Sequence, residues 1–381
     1  MKGACAIVLD SDRIFISFAI LKRGYLTFLK EVEVSISRKS SNAITYLKEN
    51  AEIINQKIKK LEKKYSFRVE KIFLELPWAF ANKRVVEESY TLKRRKRITS
   101  RDISSAKKSL EDRFLDWDDF CVHNVVMHYT VEGVDYDRPP LGVWGRKMKV
   151  RSMLVWVKDK IYKEVEDIFD NLDRNFAGFV SPQLSMLFSA FTKKEKTQAV
   201  VSLDYNNSRF MIRDRDDFFF SKEVDFGLKK IIEKLSKRFL LSKTLAEEVF
   251  YRYVSFKEIP YFKEITVKKG SGYLNLSTQD VNSFMKGYIQ SQISVLLEQV
   301  KKVTKNNDFV ISFIGRLNKK EGFYTVLRDC LSCSLKSPLQ KTSLSSSFGC
   351  LRYGVLRFLE RDHKKNESLL QSISNIYKGY F

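Results

Sequence analysis

Val200-Val201-Ser202-Leu203-Asp204-Tyr205-Asn206-Asn207-Ser208-Arg209-Phe210 is a short apolar strand that ends in Leu-Asp, crosses a polar turn and resumes as a second strand. Ile7–Ile16 does the same around Leu9-Asp10, with Ser11-Asp12-Arg13 as the turn. Short apolar runs bounded by turn residues are expected of strands buried on both faces. Two such strand–Asp–turn–strand units, one near the N-terminus and one near mid-chain, predict a chain built twice from one α/β unit. Neither turn contains a glycine.

The flanking segments extend the pattern. Ile7–Ile20 and Leu26–Val34 read as hairpin strands around Lys22-Arg23-Gly24. Ser40 or Ser41 is placed to cap a helix in which Ile44, Leu47, Ala51, Ile54, Ile58 and Leu61 alternate steps of three and four, giving one apolar stripe. Lys71–Leu76 is a strand stopped by Pro77, and a strand- and charge-rich block follows from about Ala81 to Trp156, with Thr99-Ser100-Arg101-Asp102 opening a helix. Ile161–Asn171 reads as helical, and Ser181-Pro182 starts another helix. Beyond Gln198–Phe220 come helices at Leu228–Leu241 and Thr244–Tyr253 and strands around Ile265–Leu276. An apolar helix at Val281–Val303 and a core strand at Asp308–Phe313 complete the set. Strands followed by helices, done twice, predict a two-lobed α/β protein.

Composition bounds the function. With 381 residues, 44% hydrophobic and including 29 Phe and 17 Tyr, the chain can fill two cores and is not a disordered protein. No apolar run approaches the roughly 18 residues of a membrane span, and Met1–Asp10 reads as a core strand, not a signal peptide. Five scattered cysteines predict reduced thiols in a cytoplasmic protein. The lone pair Cys330 and Cys333 lacks the second pair or nearby histidines a zinc site needs, so no metal site is expected. The net charge of +23 predicts anionic partners, and no nucleic-acid-binding motif is present, which favours a membrane surface over nucleic acid. Its densest run, Lys93-Arg94-Arg95-Lys96-Arg97, reads as a solvated loop, with a docking patch for acidic surfaces as the alternative.

Three ordered pieces inside the charged block are more specific: Ile98-Thr99-Ser100-Arg101-Asp102, Tyr129-Thr130-Val131-Glu132-Gly133 and Pro140-Leu141-Gly142-Val143-Trp144-Gly145-Arg146. With the two hairpins, they give a chain that resembles the FtsA family of bacterial actin-like cell-division proteins, with the pilus protein PilM as a more distant relative. That family has an isoleucine-threonine-acidic-acidic-aspartate helix start, a tyrosine-x-valine-aspartate-glycine turn, and Pro-x-Gly-x-x-Gly before a basic residue. The resemblance covers nearly the whole chain at weak identity. It implies a two-lobed actin-like (ribonuclease-H-like) ATPase fold: subdomain IA over 1–80 with 159–196, an inserted subdomain IC over 81–158, IIA over 197–226 with 306–346, and IIB over 227–305. A last core helix at 347–360 and a linker with terminal helix at 361–381 complete it.

The same resemblance assigns a nucleotide site and puts its chemistry in question. In that superfamily glycines let turn N–H groups approach phosphate oxygens. The first loop, Asp-x-Gly-Ser/Thr, is matched by Asp10, with Ser11 beside it. The second, Asp-x-Gly-Gly-Gly-Thr, is matched by Asp204 and Ser208, while Asn206 and Asn207 can adopt positive φ and so preserve the turn. The adenosine loop, Thr-Gly-Gly-Gly-Ala-x-x-x-Gly, aligns with Ile314-Gly315-Arg316 through Gly322 and keeps only its first and last glycines. Ala246-Glu247-Glu248 resembles the helix that borders the adenosine pocket. The implied cofactor is ATP with Mg²⁺, the ion held through water by Asp10 and Asp204. Decay of three glycine-dependent loops predicts weak or absent binding and no catalytic residue.

At the C-terminus Leu369, Leu370, Ile373, Ile376, Tyr377, Tyr380 and Phe381 recur at helical spacing, and Ser368 is placed as a cap. Arg361, His363, Lys364, Lys365 and Lys378 add basic character, as in an interfacial membrane-targeting helix. The expected function is an adaptor at the division site that tethers a tubulin-like FtsZ-type ring to the cytoplasmic membrane face. Its implied partners are that ring protein, the anionic membrane, further copies of itself in a polymer, and other division proteins through subdomain IC. Two alternatives stand beside it: a polymerising FtsA that retains ATP turnover, and a PilM-like pilus-assembly scaffold.

Overall fold

The computed structural model describes residues 2–10, 13–22, 25–35, 42–136, 138–190, 197–214, 218–257, 264–269, 272–304, 309–331 and 345–363. The chain divides into two compact units, Met1–Lys193 with Asp216–Phe218 and Ser346–Phe381, and Lys194–Arg215 with Phe219–Ser345. The first unit runs β1 (Lys2–Leu9), β2 (Arg13–Lys22), β3 (Tyr25–Ser35), α1 (Ala43–Tyr65), β4 (Arg68–Glu75) and β5 (Asn82–Arg97). It continues with α2 (Ser100–Phe114), β6 (Asp119–Val131), β7 (Val134–Tyr136), β8 (Trp144–Lys158), α3 (Asp159–Asp170), β9 (Phe176–Val180) and α4 (Pro182–Ala190). The second unit holds β10 (Thr197–Leu203), β11 (Ser208–Asp214), β12 (Phe218–Val224), α5 (Leu228–Arg238) and α6 (Lys243–Tyr253). After these come β13 (Glu264–Lys269), β14 (Gly272–Ser277), α7 (Thr278–Thr304), β15 (Phe309–Gly315) and α8 (Phe323–Cys330), before α9 (Ser346–His363) returns to the first unit.

Each unit is built on the same sheet. In the first the order is β3-β2-β1-β4-β9, with β1 antiparallel to β2 and parallel to β4. In the second it is β12-β11-β10-β15, with β10 antiparallel to β11 and parallel to β15. The duplicated hairpin of the sequence is thus a duplicated sheet core. Ala4, Ala6 and Val8 pack with Leu184 of α4 and with Cys350 and Leu351 of α9. By alternation Cys5 and Ile7 face the opposite side, and both are fully buried. A strand covered on both faces explains the unbroken apolar run at Ala4–Leu9.

Helix α1 buries all six residues of its predicted stripe. Its cap is Asn42, whose Oδ1 accepts the Ile44 N–H at 2.9 Å, and not Ser40 or Ser41. Glu62 near its end makes a two-pronged pair with Arg174, at 2.8 and 2.9 Å. Glu62 also accepts the Val69 N–H at 2.7 Å, and Arg174 donates from Nε to Asn55 at 2.9 Å. Three segments of the unit, α1, β4 and the turn after α3, meet at this ion pair. Helix α9 runs through His363, so Arg361–His363, expected to begin the linker, continue the core helix. Lys364–Phe381, including the whole predicted membrane segment, lie outside the described residues.

Between β4 and α3 a separate sheet is inserted, ordered β5-β8-β6-β7, with α2 on one face. Val86, Met148, Val150, Tyr129 and Val131 pack there against Ile103, Ala106 and Leu110 of α2. Thr99 and Asp102 form a reciprocal capping box at the start of α2. The Ile98 N–H donates to Val143 and the Gly142 N–H to Ile98, both at 2.9 Å, which joins two of the pieces that carry the family resemblance. The basic run Lys93–Arg97 is not a loop. It is the end of strand β5, where the register with β8 slips between Thr91 and Lys96.

Burial alone would raise the Glu62 pKa, but Arg174 and the Val69 N–H outweigh it and hold the carboxyl below its usual range. The stabilisation is therefore present above the unfolded-state value of about 4.3 and is lost as pH falls through the lower folded-state value. Arg174→Met should cost about 2–4 kcal/mol at neutral pH, because it strands a half-buried carboxylate. It should also flatten the loss of stability on the acid side, as read by denaturant unfolding across that range.

Candidate functional site

In the second unit the turn after β10 is closed by its own chain. The Asp204 N–H donates to the Asn207 carbonyl at 3.3 Å. The N-terminus of α5 then docks on the turn: the Leu228 N–H donates to the Asp204 carbonyl at 3.0 Å and the Lys229 N–H to the Tyr205 carbonyl at 2.8 Å. The first donors of a helix are what an anion would use. Here backbone oxygens occupy two of them. Gly227, just before α5, makes this approach possible, since a Cβ there would stand 2.4 Å from the Asn206 carbonyl. Neither Asn206 nor Asn207 adopts positive φ, contrary to the expectation from sequence, because the turn is held by these bonds and needs no left-handed residue.

The Asp204 carboxylate is also engaged. Ser202 donates its hydroxyl to it at 2.5 Å, and Arg209 pairs with it at 2.9 Å. Ser202 and Arg209 face each other across the β10–β11 register, which sets both beside Asp204. Arg209 lies 3.7 Å from Glu223 as well, and Asn207 donates to Glu223. Ser208 is completely buried, and its hydroxyl has no hydrogen-bond partner among the described residues. Arg209 was absent from the predicted site; hairpin register was the signal that could have found it.

The adenosine-type loop lies against this turn. Gly315, at φ +103°, lies so close to Leu203 that a Cβ would stand 2.5 Å from the Leu203 carbonyl oxygen. Gly322 (φ +75°) is as tightly set against Phe256 and Lys257. Both retained glycines thus have a packing reason. The Arg316 guanidinium lies over the Tyr205 ring, 5.3 Å from its centroid. Lys320 turns inward and donates to the carbonyls of Phe250, Tyr251 and Val254 at 2.6, 2.9 and 3.4 Å, closing the C-terminal end of α6. Burial pushes its pKa down to about 8. Glu247 is on the same helix, half-buried, one turn earlier.

In the first unit Asp10 follows β1, half-buried, and its N–H donates to the Arg13 carbonyl at 2.9 Å. Ser11 lies outside the described residues. The structure thus places Asp204, Asn206, Asn207, Ser208, Gly315 and Arg316 in one corner of the second unit and Asp10 in the first. As arranged, the second-unit residues do not fit a magnesium nucleotide: the carboxylate, two helix donors and both glycines are committed to internal contacts. Asp116, Asp118 and Asp119 form another carboxylate cluster, but Lys158 lies 2.9 Å from both Asp118 and Asp119 and supplies the counter-charge. Cys5, Cys121, Cys330 and Cys350 are free thiols raised in pKa by burial, Cys121 to about 12; Cys333 lies outside the described residues.

No protein-family model matches the chain, and no curated protein matches its sequence. Its fold does match solved structures: it is the actin-like ATPase fold. It is similar to a structure of the PilM-PilN type IV pilus biogenesis complex, at 12% identity and TM-score 0.57, over 92% of this chain and 98% of that one. Ethanolamine utilization protein EutJ from Carboxydothermus hydrogenoformans matches at 8% identity and TM-score 0.51, over 92% of this chain and 88% of its own. Diol dehydratase-reactivating factor, in nucleotide-free form, matches at 9% and 0.50, over 87% and 95%. Identities this low establish shared architecture alone.

Lys320→Met should destabilise the second unit by about 1–3 kcal/mol, because three buried carbonyls lose a charged donor. Thermal unfolding checks this; a variant as stable as the parent would show that the latch is not needed.

Proposed function

We propose that the protein is a non-catalytic scaffold in which the nucleotide site of an actin-like fold has become a structural joint. The observation that carries this is the Asp204 carboxylate, which is bonded to Ser202 and paired with Arg209. An aspartate that holds a magnesium-bound nucleotide needs free oxygens and nearby free N–H donors. Here an arginine supplies the positive charge and backbone carbonyls fill two donors of α5.

Within that class we favour an FtsA-type adaptor at the cytoplasmic face of the membrane. The inserted sheet with its Thr99–Asp102 capping box and the ordered family pieces support this, as does the amphipathic pattern from Leu369 to Phe381. An interfacial helix is a weak anchor: each nearby basic residue adds about 1 kcal/mol on an anionic leaflet. Self-association would multiply such anchors through avidity, and a tubulin-like FtsZ-type protein is the ring partner this reading calls for. The inserted sheet, as subdomain IC, would meet other division proteins.

A PilM-like scaffold is the second reading. It is favoured by a cavity of about 70 Å³ in the first unit, where Phe120 and His123 of β6 meet Tyr162, Phe179, Tyr353 and Arg357. Its aromatic walls, with a cation at one side, leave room for one small side chain of a partner protein.

With Mg-ATP, phosphate release should stay at the uncatalysed level. Turnover would instead favour the polymerising ATPase. Deleting Ser368–Phe381 should markedly weaken co-sedimentation with anionic liposomes, and saturable binding of a pilus-protein peptide that is lost in Tyr162→Ala would favour the second reading.

A further inference from the structure

The inserted sheet ends in a feature that the scaffold reading does not use. Where β6 turns into β7 and β8 begins, Val134, Leu141 and Trp144 each expose more than half of their surface. Pairing places them together: Trp144 stands opposite Arg97, Val134 opposite Val131, and the loop bearing Leu141 is bonded to Ile98. Cations surround them. Arg97 lies over the Trp144 ring at 5.8 Å, and Arg94, Arg95 and Arg146 are exposed beside it.

Three nearby acids, Glu132, Asp135 and Asp102, are already committed. Glu132 accepts the backbone N–H groups of Arg146 and Lys147 at 2.6 and 3.1 Å. Asp135 pairs with His128 at 3.0 Å, and Asp102 with Lys96 at 2.7 Å. Among the described residues no ion pair holds Lys93, Arg94 or Arg146. Buried Leu92 anchors the strand where its register slips, and Lys93–Arg95 project from there.

A tryptophan and two aliphatic side chains ringed by guanidinium groups match the chemistry of a bilayer interface. The ring and aliphatics sit at headgroup depth while the cations bind lipid phosphates. A nucleic-acid strand would use the cations and the aromatic face but gives Val134 and Leu141 nothing to contact. We propose that this end of the inserted sheet is a contact site for an anionic lipid surface, separate from the C-terminal segment and independent of it.

The test uses the full-length protein and phosphatidylcholine vesicles with and without phosphatidylglycerol. Leu141→Ser with Trp144→Ser, and separately Arg94→Ser with Arg95→Ser and Arg146→Ser, should each weaken binding to the anionic vesicles about tenfold or more. Salt should weaken the parent more than the arginine variant. Trp144→Phe should retain binding while removing the blue shift in tryptophan fluorescence on vesicle addition, a readout that does not depend on the serine variants folding. Vesicle binding unchanged in the serine variants, or a blue shift that survives Trp144→Phe, would overturn the assignment. So would loss of oligonucleotide binding with lipid binding intact, which would mark a nucleic-acid patch. Ile373→Asp with Ile376→Asp separates the two contacts: it should leave the Trp144 blue shift in place even if the terminal tether fails.

Discussion

The second unit depends on how the turn after β10 meets the start of α5. Strand β10 lies between β11 and β15, and its C-terminal end must be closed before the sheet can be covered. Closure comes from two N–H groups of α5 on the Asp204 and Tyr205 carbonyls, permitted by the missing Cβ of Gly227. A helix N-terminus carries partial positive charge and stabilises a carboxylate beside it, whose oxygens still demand hydrogen-bond donors. Arg209 and Ser202 meet that demand from within the chain. Once they do, the corner is electrostatically complete without a ligand.

The same corner gives the two glycines of the loop after β15 a packing role. Gly315 and Gly322 are where β10 and the segment after α6 pass closest, and side chains there would overlap backbone atoms. Lys320 then fastens the loop to α6 with three carbonyl bonds. The backbone path of this corner is thus fixed by packing, whether or not a ligand is bound. On the proposed reading, fold and function come apart here, as one fold can host unrelated functions.

Much of the architecture was legible in the sequence because it rests on local periodicity. The stripe from Ile44 to Leu61, the Thr99–Asp102 helix start and the repeated Leu-Asp hairpin each show their physical cause in the residues themselves. What could not be read depends on distant partners or on competing signals. Asn42 caps α1 although two serines precede it, and nothing local distinguishes three good capping residues in a row. Lys93–Arg97 looks like a solvated loop because an exposed edge strand has no reason to be apolar and is protected by charge. Helix α9 runs on to His363 because neither Gly nor Pro follows Gly354 to stop it. At the candidate site Asp204 was visible, but its neutralisation by Arg209 depends on strand register, which the turn's composition does not reveal.

On the proposed reading the Asp204 corner is filled by its own chain and binds no magnesium nucleotide. Calorimetric titration of the full-length protein with Mg-ATP tests it most directly. The prediction is no saturable heat up to about millimolar nucleotide. Saturable binding with a Kd in the micromolar range would contradict it, because Arg209 and the α5 N-terminus would then have to release Asp204 and the turn.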